Sequence, residues 1–360
     1  MATATLKQIA ERTGLSIRTV SRIIGDGGTG VGAQRHSSST RGLVLSAARE
    51  LGYRPNAFAK AVRTGRFGCI AILLSSSTPH RSTLPGTLYE GIDDALAEHN
   101  LHLTLARVSD EKLKSEEAVP KILREWMADG LLVNYNYDIP ASFLQTINDT
   151  RIPSVWINTK QEVNAVWPDD FAAGRSATGQ LLALGHRRIA YAINENAEGH
   201  YSATDRRNGY EAAMLAAGLS PQILRFPTPN VPGARTTVVP PEEWAEGSPI
   251  WGPEAAGTRP TAIVAYMPYI ANYFVFLAAS HGLQAPRDFS IMTFSEQRAD
   301  EAGVLVTSWR IPVYAVGQEA VRMLLARLSS AGHEPQPPVV VPFTRPESDA
   351  SVGPPPASSA

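Results

Sequence analysis

Seven short apolar runs, each followed by enough chain for a helix, constrain this sequence more than any other feature. The first series is "CIAILL", "LHLTLARV", "GLLVNY" and "IPSVWIN", and the second is "RIAYAI", "TAIVAY" and "FSIMTF". A run apolar along its length is the signature of a parallel strand covered on both faces, and the roughly 15–25 residues between runs suit crossover helices. Two such series predict an α/β core of two lobes, each a doubly wound parallel sheet. Ligands of open α/β sheets gather beyond the carboxyl ends of the strands, so any binding site belongs there.

A length of 360 residues predicts two or three structural units at the usual ~100–200 residues each. No run of about 18 uncharged apolar residues predicts a membrane span, and the N-terminus lacks the basic-then-apolar pattern of a secretory leader. The one cysteine, Cys69, excludes an intramolecular disulfide and suits a reducing cytoplasm. Within "CIAILL" it is expected to be a small core side chain.

The net charge of −1 hides an asymmetry. Residues 1–66 carry eleven Lys and Arg against three Asp and Glu, a net +8, and the remainder of the chain is −9. A basic head on an acidic body points to a polyanion-binding module joined to something else. In "TLKQIAERTGLSIRTVSRIIG" the apolar Leu6, Ile9 and Ala10 fall on one helical face, and Gly14 breaks the run. Ser16 then reads as the N-cap of a second helix whose inward face is Val20, Ile23 and Ile24. Two helices of about two turns each around "TGLS" form a helix-turn-helix, whose second helix enters the major groove N-terminus first. That places Ile17, Arg18, Ser21 and Arg22 toward base edges or phosphates. A third helix is predicted over Thr40 to Leu51, with Leu43, Val44, Ala47, Ala48 and Leu51 as its core face.

With "TLKQIAERTGLSIRTVSR", "AARELGYRPN" and "AVRTGR" in hand, the chain from about Thr5 to about Leu328 resembles the lactose/galactose repressor (LacI/GalR) family of bacterial transcription regulators. The resemblance implies a DNA-binding head over 1–54, a hinge helix and linker over 55–66, and a two-lobed core like a periplasmic sugar-binding protein over 67–343. It also implies a homodimer, with a DNA-facing set that adds Thr5, Ser16, Thr19, Thr40 and Tyr53 from the head to the four residues above. From the hinge come Asn56, Lys60 and Val62, the last at a minor-groove wedge position where leucine is more usual. The Gly/Ser-rich "GDGGTGVGAQRHSSST", Gly25 to Thr40, is about six residues longer than the family's connection and reads as a flexible loop.

In the core, Asn134 matches a sugar-contacting asparagine of the family, and Asp169 and Asp170 stand at its ligand-facing acidic pair, where capping a helix is the competing role. Arg206 matches the arginine three residues before a Gly-aromatic pair, and its guanidinium can give two parallel hydrogen bonds to a ligand. Met267-Pro268 replace the family's Asn-Asp, and "TFSE" replaces "GFDD", so Ser295 stands where a carboxylate would hold sugar hydroxyls. With Tyr266 and Trp309, such a pocket favours a ligand with an apolar or aromatic face.

Residues 226–260 read as a long Pro/Gly-rich surface loop. After one strand-like "VVVPF", residues 344–360 read as a disordered tail. Nothing resembles a nucleophile elbow, a P-loop, a zinc-spaced His/Cys set or a dinucleotide-binding glycine turn, so neither enzyme chemistry nor a cofactor is expected. His186 in "LGHRR" reads as structural. The competing class is a transporter's solute-binding protein, against which the basic head argues.

Overall fold

The computed structural model describes residues 4–25, 36–55, 61, 65–76, 82–109, 127–136, 139–149, 152–194, 199–226, 259–296, 306–329 and 334–357. The chain forms two compact units, Met1–Gly68 and Cys69–Ala360.

The first unit is a three-helix head. Helix α1, Leu6–Thr13, opens on a capping box in which Thr5 Oγ1 accepts the Gln8 amide and Gln8 Oε1 accepts the Thr5 amide. It stops at Gly14, whose φ of 70° is the left-handed cap that glycine adopts without strain. Helix α2, Ile17–Gly25, follows at once, its first turn held by Ser16 Oγ accepting the Thr19 amide at 3.1 Å. Helix α3 is Ser38–Glu50, capped by Ser37, so it begins two residues before the predicted Thr40. Ile9, Ala10, Val20, Ile23, Val44, Ala47 and Ala48 form its core, with Ile24, Leu51 and Tyr53 packed against it. Leu43 departs from its predicted core role and is 51% exposed, because it lies about 100° around the helix from Val44.

The second unit holds two all-parallel sheets. The first lobe contains β1 (Cys69–Ser75), α4 (Gly86–Ala97), β2 (His102–Val108), β3 (Gly130–Asn134), α5 (Ala141–Asp149), β4 (Ser154–Ile157) and β5 (Ala165–Pro168). Its strand order, counting the late strand β11 (Val339–Val341), is β11-β5-β4-β3-β1-β2. The chain then builds the second lobe from α6 (Asp170–Ala183), β6 (Ile189–Asn194), α7 (Tyr201–Ala216), β7 (Gln222–Phe226), β8 (Ala262–Ala265), α8 (Pro268–Ser280), β9 (Ser290–Ser295) and β10 (Thr307–Arg310), in the order β10-β9-β8-β6-β7. It returns to the first lobe through α9 (Val313–Ser329), which packs on α4, and β11 (Val339–Val341), which pairs with β5. All seven apolar runs are strands, but β2 lies at the edge of its sheet and is largely exposed, not covered on both faces as the pattern predicts. Cys69 sits at the start of β1, half-buried, with Sγ 2.9 Å from Thr104 Oγ1, and is not a core residue.

The stretch after β11 corrects another expectation, since residues 344–357 are ordered against the second lobe. Thr344 bridges to Arg310, Ser351 Oγ donates to the Ile291 carbonyl at 2.6 Å, and Val352 joins the second lobe's core. His186 secures the same region from beneath: it is fully buried, with Nδ1 2.9 Å from Thr261 Oγ1 and Nε2 2.9 Å from the Gly353 carbonyl. Polar groups of this segment find protein partners, which is why its Pro- and Ser-rich composition does not leave it disordered.

Helices α6 and α7 cross in backbone contact. A Cβ on Gly174 would meet the Arg206 carbonyl oxygen at 2.1 Å, and one on Gly209 would meet the Phe171 carbonyl oxygen at 2.1 Å. Glycine is required at both positions, because a methyl group there would part the helices. Gly174→Ala is expected to cost about 3 kcal/mol of stability, read as a lowered urea midpoint.

Candidate functional site

The head presents one face of α2. Ile17, 50% exposed, and Arg18 project from its first turn, while Val20 and Ile23 hold the opposite face in the core. Ser21 and Arg22 are half-buried one turn on, and Thr19 is half-buried beside its bond to Ser16. None of the three helices has an acidic residue in its first turn, so each positive helix end is left uncancelled by its own sequence, as an anion-facing surface needs. Arg12 pairs with Glu50 at 3.1 Å and braces α1 to α3. Thr5 caps α1, Thr40 lies in the first turn of α3, and Tyr53 is half-buried against the head core. Asn56, Lys60 and Val62 lie outside the described residues; their helical neighbour Ala61 is buried.

In the body, Arg206 of α7 gathers several of the predicted residues. Its Nε donates to Asp170 Oδ1 at 2.6 Å and its Nη1 to the Tyr266 carbonyl at 3.0 Å. The guanidinium lies 4.8 Å from the Phe294 ring centre, 5.0 Å from Tyr266 and 5.5 Å from Phe343. Only 4% of Arg206 and 1% of Asp170 is exposed. Burial raises the Asp170 carboxyl's pKa, opposed by the guanidinium beside it. Burial works against the Arg206 cation too, but Asp170 and the phenols of Tyr266 and Tyr191 outweigh it and raise its pKa. Burial also raises the phenols of Tyr191, Tyr201 and Tyr266, which stay protonated.

Asp169 does not join this group. It is the N-cap of α6, its side chain accepting the Ala172 amide at 3.0 Å. Trp309 pairs in register with Phe294 and so shares its sheet face, and its indole Nε1 has no partner among the described residues. Ser295, one residue past Phe294, points to the opposite face and is buried there. Met267 is the N-cap residue of α8 and packs on the second lobe's core. Asn134 ends β3 in the first lobe, fully buried, with Nδ2 donating to the Thr83 carbonyl at 2.6 Å and Oδ1 unpartnered among the described residues. It stands where β1 and β3 diverge in the strand order, the switch point of that sheet.

Several residues around this set were not singled out in the sequence, although Phe294 and Glu296 fall within "TFSE". Phe294 and Phe343 flank the guanidinium, and the Glu296 carboxyl, its pKa raised by burial, follows Ser295. Ser202 lies one helical turn before Arg206, on the same face, and its Oγ is 2.9 Å from Tyr266 Oη. That i, i+4 spacing was the available signal for Ser202. His200, Tyr201 and Lys160 touch across the lobes and had none.

A helix-turn-helix head on a two-lobed α/β binding core defines a transcriptional regulator, not an enzyme. Residues 5–56 match the model described as bacterial regulatory proteins, lacI family. Residues 70–236 match periplasmic binding proteins and sugar binding domain of LacI family, and 178–348 the periplasmic binding protein-like domain. The chain belongs to the LacI family. It is 26% identical over 337 residues to the HTH-type transcriptional regulator RegA of Clostridium saccharobutylicum, covering 91% of this chain and 93% of that one. The lac repressor dimer bound to operator and the anti-inducer ONPF shares the fold at a TM-score of 0.73 and 20% identity, covering 98% of this chain and 100% of that one. A CelR–cellobiose complex shares it at 0.58 and 22%, covering 96% and 99%.

Removing one partner of a buried ion pair leaves the other charge uncompensated. Arg206→Ala is therefore expected to lower stability by about 3–5 kcal/mol in urea unfolding, beyond any effect on a ligand. Burial and the Arg206 charge also hold His200 down to about 4, against 6.5 for an ordinary histidine. As pH falls from 6.5 toward 4 the unfolded chain takes up a proton that the folded chain refuses, so stability falls by roughly 1.4 kcal/mol per pH unit across that window. Substituting Gln at His200 is expected to flatten this slope in unfolding curves collected from pH 7 to 4.5.

Proposed function

We propose that this protein is a cytoplasmic, homodimeric repressor that binds a pseudo-palindromic operator and whose operator affinity is set by a small molecule held between the two lobes. The observation that carries the reading is the exposed first turn of α2, where Ile17 and Arg18 stand free of the head's core. At the entry turn of a recognition helix that isoleucine can pack against thymine methyl groups, with Arg18 beside it for base edges or phosphates. Arg18, Ser21 and Arg22 contact bases and phosphates, and Thr5, Ser16, Thr19, Thr40 and Tyr53 hold the backbone on either side. Asn56 and Lys60 continue this contact in the hinge, where Val62 is the minor-groove wedge. No helix of the described residues is long and apolar enough to cross a membrane, in keeping with a nucleoid-facing protein.

The effector lies against Tyr266 and Trp309 from the second lobe and Asn134 from the first. The unpartnered Trp309 Nε1 supplies a donor and Asn134 Oδ1 an acceptor. Met267 provides an apolar wall, Ser295 lies on the other face of the sheet and backs the site only from its strand end, and Asp169 reaches the ligand only if it leaves its cap. Arg206 is spent on Asp170 and the Tyr266 carbonyl, so it and Asp170 shape the site and contribute at most an edge to the ligand. A sugar or related metabolite with one apolar face suits these walls; one structure of the same fold is a complex of CelR with cellobiose. The effector favours one setting of the lobes, and the linkers carry that setting to the hinge.

Selection of bound duplexes from a random library with full-length protein at physiological salt tests the reading. Enrichment of a two-fold symmetric site, with half-sites about one helical turn apart, is expected, and its absence would overturn it. On that operator Arg18→Ala is expected to weaken binding by roughly 10–100-fold while leaving the helical circular dichroism unchanged.

A further inference from the structure

We infer that His200 is a positioning residue that joins the effector side of the second lobe to the first lobe through a one-way chain of hydrogen bonds, from Tyr266 through Ser202 to the ring and from the ring to Asn158. The inference rests on the reading of Tyr266 as an effector-facing residue.

The direction of the chain follows from its end groups. His200 Nε2 lies 3.2 Å from the Asn158 carbonyl, which can only accept, so Nε2 carries a proton. On the other edge of the ring, Nδ1 accepts the Ser202 amide at 3.3 Å, an N–H that can only donate, so Nδ1 carries none. The ring is thus neutral and in one tautomer. Ser202 Oγ, 2.8 Å from that bare nitrogen, must give it its single proton. Tyr266 Oη, 2.9 Å from Ser202 Oγ, must therefore give its own proton to the serine. Every donor in the chain is committed, and its sense is set without reference to any ligand.

Both ends of the chain are anchored. Tyr266 follows β8 directly, and its carbonyl receives Arg206. Asn158 follows β4 with a φ of 54°, and its amide donates to the Val166 carbonyl at 2.9 Å. Its side-chain oxygen accepts the Tyr201 hydroxyl at 2.9 Å, and two residues on Lys160 pairs with Asp205 at 2.5 Å. The consecutive residues His200 and Tyr201 thus grip both oxygens of one first-lobe residue, their rings 4.4 Å apart.

The consequence is a sorting of ligands by hydrogen-bond sense. A ligand donor can approach Tyr266 Oη, which still has acceptor capacity, and leave the chain whole. A ligand acceptor competes with Ser202 for the one phenolic proton, and in taking it frees the serine and loosens the hold of His200 on Asn158. Tyr266 thereby converts the chemistry of the bound group into a change at the lobe junction.

The test needs neither operator nor effector, so it stands apart from the operator selection. In full-length protein with 15N-labelled histidine rings, His200 is expected as the neutral Nε2–H tautomer from pH 8 to 5; an Nδ1–H tautomer or a cationic ring in that range would sink the proposal. Ser202→Ala is expected to speed amide exchange of the peptide spanning Asn158 to Lys160 by about tenfold, the worth of one lost hydrogen bond. Ser202→Thr keeps the hydroxyl and is expected to restore the slow exchange. Equal exchange in Ser202→Ala and wild type, or a Thr variant that behaves like Ala, would show that Ser202 only fills space.

Discussion

The second lobe is organised around one ion pair. Arg206 and Asp170 are both withdrawn from water, and neither charge would be tolerable alone. The crossing of α6 and α7 brings them together, and that crossing is as close as it is because Gly174 and Gly209 let backbone touch backbone. Tyr266, Phe294 and Phe343 then enclose the guanidinium, which offers their ring faces a cation. Without the pair the crossing of α6 and α7 would leave one buried charge uncompensated beside the sheet.

The repressor reading gives the two units different physical tasks. The head buries little of its own and presents a small polar and apolar edge, so its affinity depends on what it lands on. In the body the two lobes meet where Asn158 and Lys160 of the first touch His200 and Tyr201 of the second. A ligand held in one lobe can act on the other only by biasing contacts of this kind.

The fold was legible wherever a strand was apolar throughout. β5, β7 and β10 were missed: "AVWP" and "TSWR" are four residues each, and "QILRF" lies at the sheet's edge, where polar side chains are tolerated. Exposure of Leu43 was not legible because Leu43, Val44 and Leu45 run apolar around α3, and only contact with α1 and α2 puts Val44 inside and leaves both leucines exposed. In the site, Arg206 was visible as a guanidinium at a motif position, but its partner is 36 residues away and Phe343 lies beyond two lobe crossings. The role of Asp170 as the partner of Arg206, and the limited freedom of Arg206 toward a ligand, are properties of those distant contacts. His200 shows the same limit, since its meaning depends on a carbonyl in the other lobe.

The returning segments have a consequence for the growing chain. The first lobe's sheet receives β11 only after nearly all of the second lobe has been made, and the second lobe's core waits for Val352. Neither lobe can be finished while the chain is emerging in order, and neither can be excised as one contiguous fragment. For a protein whose charged head is made first, the nascent chain carries that head for most of synthesis before the two lobes behind it have closed.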